Sequence, residues 1–126
     1  MKVWRLCWLG VRTERYAETV ELFRDVLGLT VEFEEATTTE LALPNGDRVQ
    51  IIAPGHPYDA FFKEHARGPV ALFEIDDVHE ARRELEAAGV EVIGQLERDG
   101  KWEWINFRGP DGNLYELASR SRVISR

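Results

Sequence analysis

The sequence predicts an α+β fold in which two tandem βαβββ modules curl mixed sheets around a shared cleft, with helices on the outer face. Two observations predict it: the element order repeats after Pro69, and each copy pairs a glycine helix stop with a glycine turn before its last strand. We expect a single domain over residues 1–126. It divides into module one at about 1–54, a connection at 55–69, module two at about 70–119 and a basic tail at 120–126.

Module one begins with an apolar strand at residues 3–11. An amphipathic helix follows, because large apolar side chains recur three or four positions apart until Gly28: Tyr16, Val20, Phe23 and Leu27. Three short strands complete the module at 29–34, 38–43 and 48–53. The last two are joined by a turn at Asn45-Gly46, a strong hairpin signal.

Module two repeats this order. A strand at 70–75 leads to a helix that starts with the capping residue Asp77 and stops at Gly89. Strands are predicted near 90–93, at 102–107 and at 114–118. Superposing Trp8 on Val70 brings Gly28 within one residue of Gly89, which indicates an internal duplication.

Composition excludes several classes of protein. The chain has 23 acidic and 16 basic side chains, a net charge of -7, which disfavours binding to nucleic acid. A single cysteine, Cys7, forbids an intramolecular disulfide and favours a reducing, cytoplasmic location. No apolar run approaches the length needed to span a membrane, and the first five residues lack the long apolar segment that is typical of a signal peptide. The tail at 120–126 is interpreted as a solvated, frayed end.

Three segments resemble the vicinal oxygen chelate superfamily, which includes glyoxalases, bleomycin-resistance proteins and extradiol dioxygenases. They are Leu-Phe-Arg-Asp-Val-Leu-Gly-Leu at 22–29, Phe-Glu-Ile-Asp-Asp-Val at 73–78 and Phe-Arg-Gly-Pro-Asp-Gly-Asn-Leu-Tyr-Glu-Leu at 107–117. The resemblance covers nearly the whole chain. It implies the predicted fold and a homodimer.

The resemblance also marks four metal-ligand positions, one on the first and one on the last strand of each module. In this sequence they hold Trp8, Gln50, Val70 and Glu116. Valine has no donor atom and an indole N–H offers no lone pair, so we interpret the metal site as degenerate and expect no cofactor. A divalent metal is implied only if the chain is an enzyme that uses Glu116.

The histidines and the cysteine receive structural interpretations. His56 and His65 lie in the connection, and solvent exposure is favoured over a ligand role that would restore the metal site. His79, in the first turn of the second helix, is expected to be structural or exposed. Cys7 alternates with Trp8 and is expected to face the helices together with Leu9 and Val11.

Strand alternation predicts a cleft lined by aromatic rings. All four tryptophans are expected to converge there, accompanied by three polar groups that orient a guest. The expected ligand-binding residues are Trp4, Trp8, Gln50, Trp102, Trp104, Asn106 and Glu116. Such a cleft favours a planar guest with a cationic or hydrogen-bond-donating edge. Alternatively, Trp8 fills the former metal site and donates its N–H to Glu116.

Three functions remain open on the sequence. The first is a metal-free protein that binds a planar or amphipathic small molecule in the cleft. The second is a metal-dependent lyase, isomerase or dioxygenase of the glyoxalase type that uses Glu116. The third is a non-catalytic structural or interaction module with a filled cleft.

Overall fold

A single mixed sheet of eight strands organises the chain, in the order β2-β3-β4-β1-β5-β8-β7-β6. A computed structural model describes residues 1–121. In chain order the elements are β1 (Val3–Arg12), α1 (Tyr16–Glu21), β2 (Thr30–Glu35), β3 (Thr38–Ala42), β4 (Arg48–Ile52), α2 (Asp59–His65), β5 (Val70–Ile75), α3 (Val78–Ala87), β6 (Val92–Asp99), β7 (Trp102–Arg108) and β8 (Leu114–Arg120). The predicted α+β class and the two-module order are confirmed.

The two modules meet along one seam, where β1 pairs antiparallel with β5. Within each module the first and last strands are parallel: β1 with β4, and β5 with β8. The registers match between modules, because Gln50 lies beside Gly10 and Glu116 lies beside Leu72. The sheet therefore presents equivalent positions of both modules on one concave face.

Two helices cover the outer face of the sheet. Helix α1 continues as a single π-helical turn, Leu22–Val26, and its side chains pack on β1, β3 and β4 around Leu41 and Ile51. Helix α3 packs on β7 and β8 around Ile105 and Leu117. The Asp77 carboxylate caps α3 by accepting a hydrogen bond from the backbone N–H of His79, at 2.9 Å.

Helix α2 lies within the connection, where the sequence predicted a loop. Its buried Phe62 packs with Ile52, Val70, Ile93 and Leu114 from both modules. Seven residues with only two adjacent large apolar side chains give too little periodicity to indicate a helix. This helix closes one end of the concave face, so the connection is part of the site.

Two predicted boundaries differ from the structure. Strand β6 extends to Asp99, beyond the predicted end at residue 93, and its register shifts between Ile93 and Glu97, where Gly94 has a positive φ. Strand β8 includes Arg120, the first residue of the predicted tail. Ser121 is also described, whereas tail residues 122–126 lie outside the described part of the chain. No helix formed by residues 1–121 has the length and apolar content needed to cross a membrane.

Candidate binding cleft

The concave face of the sheet holds a cleft of about 980 Å³. Strand alternation determines which side chains project into this cleft. Val49 and Leu117 pack under the outer helices, so Arg48, Gln50 and Glu116 project to the opposite side and line the cleft. Both modules therefore supply walls to one cavity of the size that small-molecule sites have.

One row of neighbouring residues crosses the cleft from wall to wall. Strand register places Arg48 beside Trp8, Trp8 beside Leu72, Leu72 beside Glu116 and Glu116 beside Asn106. All five side chains line the cavity. This row joins a cation on one wall to a carboxyl and an amide on the other.

Trp8 lies flat against its own strand in the floor of the cleft. Its ring covers Gly10, and its Nε1–H donates to Oε1 of Gln50 at 3.2 Å. Gln50 in turn donates to Thr38 Oγ1 at 2.9 Å. The alternative in which Trp8 donates to Glu116 is therefore wrong, and the indole is tied to module one.

Glu116 is buried in the opposite wall, with 5% of its surface exposed. No hydrogen bond or ion pair joins its carboxyl to any other side chain within residues 1–121. Burial raises the pKa of Glu116 to about 8, because a charge in this apolar setting loses its hydration without gaining a partner. At neutral pH the group is a protonated carboxyl that can both donate and accept.

Asn106, the neighbour of Glu116 on β7, is buried as well, at 4% exposure. Its Oδ1 is fully buried and has no hydrogen-bond partner in the described part of the chain. An orphaned buried acceptor is costly, typically by about 1–3 kcal/mol. Asn106 and Glu116 thus form a pair of buried polar residues on the cleft wall, and no side chain of residues 1–121 bonds to the Asn106 Oδ1 or to the Glu116 carboxyl.

The tryptophans do not all converge as the sequence suggested. Trp102 and Trp104 line the cleft with Trp8. Trp4 does not: it is 55% exposed, donates to Asp76 Oδ1 at 2.7 Å and has the Lys2 ammonium 3.9 Å above its ring. The expectation that Trp4 faces the cleft is wrong.

Cys7 also lies on the unexpected side. It lines the cleft, whereas Leu9 and Val11 pack under α1 as predicted. The register between β1 and β5 shifts between Leu6 and Trp8, so Cys7 is an extra residue opposite Leu72. Such a bulge interrupts alternation, which explains the error. A second shift between Val3 and Arg5 similarly separates Trp4 from the predicted face.

Sequence reasoning missed several aromatic lining residues. Four additional rings complete the cavity: Phe33, Tyr58, Phe61 and Phe62. Three of them belong to the connection and α2, whose place over the cleft no local pattern in the sequence indicated.

The cleft is also more charged than expected. Beside Gln50, Asn106 and Glu116, its walls include two arginines and four further carboxyl groups: Arg5, Arg48, Glu35, Glu40, Glu97 and Asp99. Arg5 is neutralised by ion pairs to Asp47 and Glu74. The sequence predicted only three polar groups in the cleft, so these six charged residues are an addition to its lining.

The two connection histidines have different environments. His56 lines the cleft, its Nδ1 accepts from the Tyr58 backbone N–H at 3.1 Å, and burial lowers its pKa. His65 packs against Phe61 and contacts the Arg108 guanidinium, away from the cleft lining. His79 is largely exposed and its Nε2 lies 3.1 Å from the Glu103 carboxylate, as a structural role predicts.

The four positions that the family resemblance marks do not form a metal-ligand set. Val70 is 1% exposed within an apolar cluster, and the only nitrogen of the Trp8 side chain is a donor already used on Gln50. Within residues 1–121 no group of three or more His, Cys, Asp or Glu side chains is arranged to hold a metal ion. The set retains only two donor groups, the amide oxygen of Gln50 and the carboxyl of Glu116. Catalytic zinc sites have three protein ligands, so these residues do not fit a divalent cation.

The fold and cleft define a class: a small α+β protein with one cavity built from a repeated βαβββ unit. The family model described as the Glyoxalase/Bleomycin resistance protein/Dioxygenase superfamily matches residues 5–117, and the chain belongs to that superfamily. Comparison with curated proteins gives no match.

Solved structures share this fold. A glyoxalase/bleomycin resistance protein/dioxygenase superfamily member from Vibrio splendidus 12B01 is 19% identical with a TM-score of 0.70, covering 95% of this chain and 100% of that one. Methylmalonyl-CoA epimerase from Mycobacterium tuberculosis is 22% identical with a TM-score of 0.69, covering 92% of this chain and 87% of that one. At these identities the likeness concerns the fold.

Proposed function

We propose that this protein binds a planar or amphipathic small molecule in its cleft without a metal ion. The observation that carries the proposal is the aromatic lining of the cavity. Seven aromatic side chains from both modules and the connection surround about 980 Å³: Trp8, Phe33, Tyr58, Phe61, Phe62, Trp102 and Trp104.

Aromatic walls supply affinity without coordination bonds. Stacked or edge-on rings contribute about 0.5–1.5 kcal/mol each beyond the burial of apolar surface. Burial itself contributes about 25 cal/mol for each Å² of apolar surface removed from water. After the cost of association, a drug-sized planar molecule is expected to bind in the micromolar range.

The degenerate ligand set supports metal independence. Two of the four family ligand positions, Trp8 and Val70, have no lone pair to offer, and Gln50 already accepts from Trp8. The cavity argues against the alternative of a structural module with a filled cleft.

The test is isothermal titration of dialysed protein with planar naphthalene and acridine compounds. We expect saturable binding that is weakened at least tenfold by Trp8→Phe and unchanged by Trp4→Phe. Trp4 is the matched control, because its ring lies outside the cleft. Absence of binding by every planar compound, or equal losses in the two variants, contradicts the proposal.

A metal-dependent lyase, isomerase or dioxygenase that uses Glu116 is the second candidate. It is favoured by one observation: the Glu116 carboxyl faces the cleft without a partner in the described residues. Elemental analysis after dialysis separates the two candidates. Near one zinc, nickel, iron or manganese ion per chain, lost in Glu116→Gln, would establish the enzyme candidate and contradict metal-free binding.

We further propose that the chain is a cytoplasmic homodimer that does not bind nucleic acid. The homodimer follows the family resemblance and is supported by large apolar side chains exposed on β1 and at the end of the first helix: Val3, Leu6, Leu22, Val26 and Leu27. Light scattering tests it, with a mass near 29 kDa expected from the 14.5 kDa chain. A mass near that of one chain contradicts the dimer.

A further inference from the structure

Each wall of the cleft carries a polar side chain that has no hydrogen-bond or ion-pair partner among the side chains of the described residues. Glu116 and the Asn106 Oδ1 are buried on the module-two wall, and Arg48 lies on the module-one wall in the same cross-sheet row. Between them the row contains only Trp8 and Leu72. The two walls thus differ in the chemistry they leave unsatisfied.

The module-one wall offers an available cation. Arg48 projects into the cleft because its neighbour Val49 packs under α1. Among residues 1–121 no carboxylate lies within ion-pair distance of Arg48, although Glu35 and Glu40 line the same wall. Arg5, by contrast, is held by Asp47 and Glu74. A guanidinium in this position presents a donor fork that matches a carboxylate.

The module-two wall requires hydrogen-bond donors. Asn106 Oδ1 and the Glu116 carboxyl are directly opposite each other on β7 and β8, so two acceptors lie side by side. Glu97 and Asp99 on β6, beside Trp104 and Trp102, add negative charge to this wall. A group with two parallel N–H donors, such as an amidine or an amino-substituted heterocycle, matches the two oxygens of the Glu116 carboxyl, which lines the cleft.

We propose that the occupant of the cleft is amphoteric: a planar aromatic molecule with a carboxylate against Arg48 and paired N–H donors against the Glu116 carboxyl. This inference rests on the proposed binding function and names its ligand class. A cation alone leaves Arg48 without a counter-charge, and an anion alone leaves the Glu116 carboxyl without a hydrogen-bond donor.

The spacing of the walls sets the length of the guest. Arg48 and Glu116 lie on β4 and β8, which are three strand spacings apart, or about 14 Å along the sheet. Curling of the sheet and the length of both side chains shorten the gap that a ligand must bridge. Two linked or fused rings with polar groups at opposite ends fit this span better than one ring.

Four matched probes test the inference by isothermal titration at pH 8. They are 4′-amidinobiphenyl-4-carboxylate, 4-amidinobiphenyl, biphenyl-4-carboxylate and the uncharged 4-hydroxymethylbiphenyl. We expect the amphoteric probe to bind most tightly, with at least a tenfold loss when either charged group is removed.

Variants assign each end of the probe to its wall. Arg48→Gln should cost at least tenfold for the two carboxylate probes and leave 4-amidinobiphenyl unchanged. Glu116→Gln should cost at least tenfold for the two amidine probes and leave biphenyl-4-carboxylate unchanged. Arg83→Gln, on the exposed side of α3, is the control and should change none of the four affinities.

The outcomes distinguish this inference from the binding function on which it rests. Equal affinities for all four probes overturn the amphoteric ligand and leave planar binding standing. The amphoteric ligand is also overturned if Arg48→Gln and Glu116→Gln each weaken the carboxylate and amidine probes equally. Thermal melting must show that both variants are folded. Failure of every biphenyl, naphthalene and acridine compound to bind overturns both proposals.

Discussion

The Trp8 ring lies directly over Gly10: a Cβ atom added at Gly10 would stand 2.2 Å from Cη2 of the indole. Gly10 has no positive φ, so its backbone accepts a side chain and only the ring forbids one. The glycine is therefore required by the position of Trp8 in the floor of the cleft.

Gly10→Ala is expected to displace the Trp8 ring. The indole is fixed by Gln50 and packs near Phe62, so overpacking should destabilise the protein by about 1–3 kcal/mol and weaken ligand binding. Chemical denaturation and titration measure the two effects. Gly68→Ala, where an added Cβ meets nothing within 4 Å, is the matched control and should change neither. Unchanged affinity in Gly10→Ala would show that Trp8 does not contact the ligand.

Glu116→Gln is expected to stabilise the ligand-free protein at alkaline pH. The folded-state pKa of Glu116 is raised from 4.5 to about 8, so the folded state retains a proton that the unfolded state releases. Its contribution to the unfolding free energy therefore falls as pH rises from about 4.5 to 8, by on the order of 5 kcal/mol. Denaturation of both proteins from pH 5 to 9 should show this difference growing with pH. Parallel curves would contradict the raised pKa.

Binding of an amidinium ligand should release a proton below pH 8. The cation prefers an ionised Glu116, so binding must pull the proton from the buried carboxyl. Affinity should rise by up to tenfold per pH unit between pH 6 and 8 and then level off. His56 and Tyr58, which also line the cleft, are controlled by repeating the series in Glu116→Gln. A slope that persists in this variant would assign the proton to another group.

Glu103→Gln is expected to destabilise the protein at neutral pH, in contrast to the stabilisation expected from Glu116→Gln at alkaline pH. Burial acts to raise the Glu103 pKa, but a hydrogen bond from Ser121, the charge of Arg98 and the contact with His79 outweigh it and lower the pKa. Glu103 therefore contributes stability above its unfolded pKa that is lost as pH falls through the folded value. The variant should be less stable at neutral pH and should lose part of its acid sensitivity. Denaturation at pH 3 to 7 checks both effects.

Cys7 should react slowly with iodoacetamide at pH 7.5. Burial raises the pKa of its thiol, which lowers the fraction of reactive thiolate. Because Cys7 lines the cleft, a bound ligand should slow the reaction further. Mass spectrometry follows the alkylation, and indifference of the rate to ligand would place the guest away from β1.

Most of the fold was predictable from the sequence because the signals are local and repeated. The glycine after each helix and the Asn45-Gly46 and Asp111-Gly112 turns indicate the same unit twice. The face of β7 followed from alternation, since Ile105 and Phe107 pack under α3 while Trp104 and Asn106 line the cleft.

The site was less predictable than the fold, because the wrong predictions fall where β-bulges interrupt the alternation of side chains along a strand. Two register shifts in β1 place Trp4 outside the cleft and Cys7 inside it, and residue order alone does not reveal a bulge. The wall charges Arg48, Glu97 and Asp99 become neighbours of the aromatic rings only when the sheet curls.

The two modules pair through β1 and β5 within one chain, so the two halves of the cleft need not be identical. An isolated module would expose that strand as an open edge and would pair there with an identical copy. Such a pair would repeat every side chain across a two-fold axis, and its cavity would offer the same groups to both ends of a guest. Linkage of the two modules in one chain removes this identity of the two halves, since it allows Gln50 on one wall to differ from Glu116 on the other. The duplication in this chain therefore makes available a polarised cleft, in which the two ends of a guest meet different side chains.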